Sequence, residues 1–106
     1  MKTKEAMQRF ADKVTQEYGV PPVKVSLRKL IEQRESGMVS GRTIYADATI
    51  LICSESPVID DTIRHELAHW VAFNKEPKMA HRHNRHWRKW ARRLGAHPRA
   101  KILREG

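Results

Sequence analysis

The pentapeptide His65-Glu66-Leu67-Ala68-His69 constrains this chain more than any other feature. Residues four apart on a helix lie one above the other, so both imidazoles can converge on one ion if this segment is helical. The flanking sequence agrees. Ile59, Ile63, Leu67, Trp70 and Phe73 recur at helical spacing and give a core-facing stripe on another side. Ser54 or Ser56 is placed to cap the helix, Pro57 suits its first turn, and Asp60 and Asp61 complement its positive end. Glu66 points slightly off the histidine line, where it can take a proton from water at the ion. Neutral imidazoles suit zinc. The bland reading is an amphipathic helix whose histidines are polar neighbours, so the pentapeptide needs a partner elsewhere in the chain.

A catalytic zinc takes a third protein ligand and keeps one position open for water. In the metzincin pattern Gly would stand at position 72 and His at 75, but Ala72 and Lys75 stand there. An acid from a following helix is not on offer, because none occurs between Glu76 and Glu105. The histidines of "HRHNRHW", residues 81–87, remain. His83 is favoured, since it stands at the mouth of the last helix and Trp87, one turn on, would pack beneath it. Arg82 and Arg85 flank it and disfavour its protonation. His86, one turn into the helix, and His81, in the linker, stay open as alternatives.

Charge divides the chain sharply. Residues 1–77 carry eleven Lys/Arg and eleven Asp/Glu, whereas residues 78–106 carry ten Lys/Arg and one acid, Glu105. The net charge of +9 therefore resides in the last 29 residues. A basic block over 78–104, with Trp87 and Trp90 inside it, points to a polyanion such as nucleic acid, through Arg82, Arg85, Arg88, Lys89, Arg92 and Arg93. The alternative is a solvated face, with the tryptophans packing rather than stacking on bases. Cys53 is the single cysteine, so no internal disulfide and no four-cysteine ribbon can form. No apolar run is long enough to cross a bilayer and no signal peptide is visible, which leads us to expect a cytoplasmic protein, a monomer without membrane contact.

The length of 106 residues suits one domain, 1–106. "TKEAMQRFADKVTQEYG" predicts a first helix, with Ala6, Met7, Phe10, Ala11, Val14 and Tyr18 on one face and Gly19 as its stop. Val23, Val25 and Leu27 alternate like a half-buried strand. "EQRESGMVSGRT" predicts turns. "GRTIYADATILICSE" predicts one or two strands broken near "ADA". "NRHWRKWARRLG" predicts a last, basic helix with Trp87, Trp90, Ala91 and Leu94 on its apolar side, closed by Gly95 and Pro98. The order gives an α+β domain with a small mixed or antiparallel sheet.

Taken together, "HELAH" at 65–69, the gap that follows, and "HNRHW" opening "RKWARRLG" resemble the SprT-like zinc metallopeptidases, a family that includes the DNA-dependent protease Spartan. The resemblance covers roughly residues 37–98. It implies His65, His69 and His83 as Zn2+ ligands, Glu66 as general base, and a compact zincin-like fold. It also implies a peptide lying along an edge strand near Thr49 to Cys53. Two departures stand out. Asn84 occupies the place of the family's usual Gly, and Asn tolerates left-handed backbone. The cysteine-rich ribbon of many members is absent, which leaves the basic helix as the DNA contact.

The expectation is a zinc-dependent endopeptidase acting on protein substrates, DNA-associated or DNA-crosslinked ones if the resemblance extends that far. Tyr45 is a candidate donor to the oxyanion, against its reading as an ordinary strand tyrosine. From a different class comes a nucleic-acid-binding module whose zinc is structural. A third reading is a zinc hydrolase acting on something other than peptides.

Overall fold

The computed structural model describes residues 1, 3–35, 37–79 and 83–97. Its first element is helix α1, Lys4–Tyr18. The Thr3 hydroxyl accepts from the Ala6 N–H to cap it, and Gly19 ends it at φ 66°, a left-handed conformation that a side chain resists. Met7, Ala11 and Val14 are buried, as the spacing predicts.

Five strands follow: β1 Lys24–Arg28, β2 Gln33–Arg34, β3 Gly37–Met38, β4 Gly41–Ile44 and β5 Thr49–Cys53. The segment predicted as turns thus contains a short antiparallel pair, β2 with β3. Glu32 fastens this pair to the sheet, since its carboxylate meets both Arg34 and Arg42, the latter at 2.6 Å. The break at "ADA" is a tight turn between β4 and β5, closed by Ala48 N–H donating to the Tyr45 carbonyl at 3.2 Å.

The main sheet is mixed, in the order β1-β5-β4, with β1 parallel and β4 antiparallel to β5. This corrects the placing of the edge strand at Thr49–Cys53. That segment is the middle strand, paired on both sides, and its backbone cannot receive a peptide. Burial of Ile50, Ile52 and Cys53 is what an interior strand requires.

The two edges differ. Along β1, the Gln8 side chain acts as a substitute strand: it donates to the Val23 carbonyl at 2.9 Å and accepts from the Val25 N–H at 2.8 Å. Along β4, Cys53 N–H bonds the Ser40 carbonyl at 2.8 Å, which fixes the phase of the antiparallel ladder. Ser40, Arg42 and Ile44 then face β5, while Gly41 and Thr43 turn their N–H and C=O outward. One step upstream the Val39 N–H is taken by the Glu32 carbonyl. Among the described residues, the open edge is therefore Gly41 to Ile44.

Helix α2, Ile59–Lys75, packs across the sheet, with Ile63, Leu67, Trp70 and Val71 buried. Its start departs from expectation. Val58 is the cap residue and makes no side-chain cap bond, and Pro57 precedes the helix. Ser56 instead accepts from Val58 N–H at 3.3 Å, ordering the turn that leads in. After a short 3-10 turn at Pro77–Met79 comes α3, Arg85–Leu94. It lies against α2 through Trp87, Trp90, Ala91 and Leu94. Arg64 of α2 donates to the Leu94 carbonyl at 2.7 Å, and Asp61 accepts from the His97 N–H at 2.7 Å, so the far end of α3 is held too. Among the described residues the result is an α+β fold of three α-helices, a three-stranded mixed sheet and the small β2-β3 pair, the class predicted. Pro98 and the segment 98–106 lie outside the described residues.

Candidate metal centre

Helical geometry places His65 and His69 on one face of α2, one turn apart. Both are buried. The chain then runs through the 3-10 turn and returns so that His83, the residue before the cap of α3, faces them. His69 and His83 bring their Nε2 atoms to 3.0 Å, and His83 and His65 bring theirs to 3.1 Å. All three ligand atoms lie within 4.8 Å of one another.

This convergence tests whether a cation fits. Each imidazole Nε2 carries either one N–H or one in-plane lone pair. His83 Nε2 can satisfy only one neighbour in that way, yet it has two at hydrogen-bonding distance. A cation that accepts three lone pairs satisfies all of them at once. Zinc held at about 2.0–2.1 Å from each nitrogen spaces them about 3.4 Å apart at the tetrahedral angle, within a few tenths of an ångström of the two separations from His83 Nε2. The donor set fits.

His83 is held neutral. Its pKa is pushed down to about 4 from 6.5, first by burial and then by the neighbouring His65. The expected cause was the charge of the flanking arginines; burial leads instead, and Arg82 lies outside the described residues. His86 does not join the cluster. Its Nε2 is 3.2 Å from the Ala72 carbonyl, on the α2 side of the helix. His81 lies outside the described residues.

Asn84 corrects a second expectation. Its backbone is extended, at φ −89°, and not left-handed. Its side chain accepts from the Trp87 N–H at 3.1 Å, so Asn serves here as the N-cap of α3. The cap fixes where α3 begins, and therefore where His83 stands. Arg88 reaches back to donate to the His83 carbonyl at 3.0 Å, a second tether on the same residue.

Trp87 forms the floor. It is fully buried, and its ring centroid lies 4.7 Å from that of His65, 5.4 Å from His69 and 4.8 Å from His83. Its indole N–H donates to the His65 carbonyl at 3.3 Å. Packing beneath His83 alone was expected; the indole in fact supports all three imidazoles.

Glu66 is buried beside the cluster, with Oε2 3.9 Å from His65 Nε2. Two residues that the sequence reading did not single out hold it. Thr43 of β4 donates its hydroxyl to Glu66 Oε1 at 2.8 Å. Gly41 lets β4 pass close to α2: a Cβ there would stand 2.6 Å from Thr62 Cγ2 and 3.0 Å from Glu66 Cγ. Tyr45, the candidate oxyanion donor, is half-buried and packs its ring against the core, 4.6 Å from Phe73 and 6.4 Å from Trp70. Burial, and then the charge of Glu66, hold its hydroxyl well above the usual phenol range.

The predicted polyanion residues lie along one face of α3, at the spacing 85, 88, 89, 92 and 93. Arg85, Lys89, Arg92 and Arg93 are exposed, and Arg88 is half-buried and engaged with His83. Lys89 and Arg93 both lie over the Trp90 ring, at 5.0 and 5.1 Å from its centroid. Trp87 and Trp90 are buried, so neither presents a face to a base. Among the described residues no helix is long and apolar enough to cross a membrane.

A model of the SprT-like family matches residues 3–105, a wider span than the 37–98 that carried the resemblance. No curated protein and no solved structure matches the chain.

Proposed function

The chain belongs to the SprT-like family, and from that premise we propose that it is a zinc-dependent endopeptidase with a zincin-like site. The observation that carries this reading is the meeting of three imidazole Nε2 atoms beside a buried carboxylate. A purely structural ion has no use for that carboxylate.

His65, His69 and His83 would hold the ion through Nε2. When bound, zinc supplies Lewis acidity, polarising a peptide carbonyl and making water nucleophilic near neutral pH. The remaining work falls to the chain. Glu66 accepts the proton of the attacking water at Oε2, the oxygen facing the cluster, and returns it to the leaving amine. The open edge of β4 suits an extended peptide, because Gly41 and Thr43 offer N–H and C=O groups directly beside Glu66. Main-chain pairing of this kind is indifferent to side chains, which favours unfolded or extended protein segments as substrates.

The basic face of α3 would bring the enzyme to a polyanion, and DNA-associated or DNA-crosslinked protein is the substrate class that agrees with it. That same face favours a second reading, a nucleic-acid-binding module whose zinc is structural. Glu66→Gln separates the two. The peptidase reading expects this variant to keep its zinc and lose peptide cleavage. Cleavage that survives Glu66→Gln, or a wild type that cleaves no peptide with zinc bound, contradicts it.

A further inference from the structure

We infer that Thr43 is a positioning residue that assigns separate tasks to the two oxygens of Glu66, anchoring Oε1 so that Oε2 faces the histidine cluster. The inference rests on the reading of Glu66 as the proton carrier and goes beyond it. A glutamate side chain has three rotatable bonds, and burial alone does not say which oxygen points where. The Thr43 hydroxyl has one proton to give. It stands 2.8 Å from Glu66 Oε1 and 3.2 Å from the Glu66 main-chain carbonyl. That carbonyl already serves the helix, and an ionised carboxylate is the stronger acceptor, so the proton goes to Oε1. Oε2 is then the oxygen 3.9 Å from His65 Nε2.

The placing of Thr43 adds a second consequence. Its side chain faces α2 while its N–H and C=O face the open edge of β4. The residue that would pair with a seated peptide is therefore the one that orients the carboxylate. Gly41, two residues earlier on the same face, brings the strand close enough for this contact. An ordinary strand threonine would need neither arrangement.

The test uses Thr43→Val, which keeps shape and removes the hydroxyl, Thr43→Ser, which keeps the hydroxyl, and Glu66→Met, which removes the acceptor with an unbranched chain. Steady-state cleavage of an extended peptide by the zinc-loaded protein should show kcat lowered roughly 10- to 100-fold in Thr43→Val, with KM within about twofold. Thr43→Ser should restore most of it. Independently of cleavage, a double-mutant cycle of Thr43→Val and Glu66→Met in urea unfolding should show a coupling of about tenfold or more in the unfolding constant. Additive effects in the cycle, an unchanged kcat in Thr43→Val, or a Thr43→Ser variant as poor as Thr43→Val would each overturn the inference while leaving the peptidase reading in place. A wild type that cleaves nothing overturns that reading, and this inference with it.

Discussion

The Nε2 atoms of His69 and His83 stand 3.0 Å apart across fourteen residues of sequence. One sits on α2 and the other on the approach to α3, so the closeness depends on how the two helices pack. It follows that His83→Ala should lower bound zinc from about one equivalent to well below, whereas His86→Ala should leave it unchanged, because His86 bonds toward Ala72 instead. Elemental analysis of the dialysed proteins measures both.

Trp87 supports all three imidazoles and is fully buried, so its removal should cost stability as well as metal. Trp87→Ala is expected to lose about 3–5 kcal/mol in urea unfolding of the metal-free protein. Trp87→Phe should lose less, though it gives up the bond to the His65 carbonyl. Equal losses in both would show that the indole N–H, and not ring volume, matters most.

Gly41 admits β4 to the side of Glu66. A single methyl at that position meets Thr62 Cγ2 and Glu66 Cγ, neither of which is the far end of a flexible chain. Gly41→Ala should destabilise by about 1–3 kcal/mol. Cleavage should fall further than this loss accounts for, since the strand must move away from the carboxylate. Calorimetry and peptide hydrolysis on the same preparation check the pair of expectations.

The pH dependence has a definite sign. His83 is held neutral in the folded chain down to about pH 4, while an unfolded histidine takes its proton near 6.5. Between those values the unfolded state binds more protons, so the stability of the metal-free protein should rise with pH from about 4 to about 6.5. Comparing urea midpoints across that window in wild type and His83→Gln tests this. The variant should have the shallower slope.

Much of this molecule is legible in its sequence, and the unreadable parts have a common cause. Periodicity located α1, α2 and α3, because each has a face that only burial explains, and helical spacing alone brought His65 and His69 together. Strand order was not legible in that way. Alternation shows that a strand is half-buried but not which neighbours it pairs with, so nothing in the residues themselves could check the edge position that the resemblance implied for Thr49–Cys53. The continuous apolar run "TILIC" was the available signal of a strand more deeply buried than its neighbours, with Ile50, Ile52 and Cys53 buried and Leu51 half-buried. Thr43 and Gly41 were missed because their roles exist only where β4 crosses α2, a contact between residues 23 positions apart. Asn84 was read through its tolerance of left-handed backbone, when its stronger habit of capping helices was the better guide.

The central claim is that three imidazoles hold one zinc ion beside Glu66. An anomalous difference map at the zinc edge, from crystals grown with one equivalent of zinc, tests it most directly. The account predicts a single strong peak bonded to Nε2 of His65, His69 and His83, with Glu66 next to it but not coordinating. A peak on His86, or no peak among the three histidines, would contradict it.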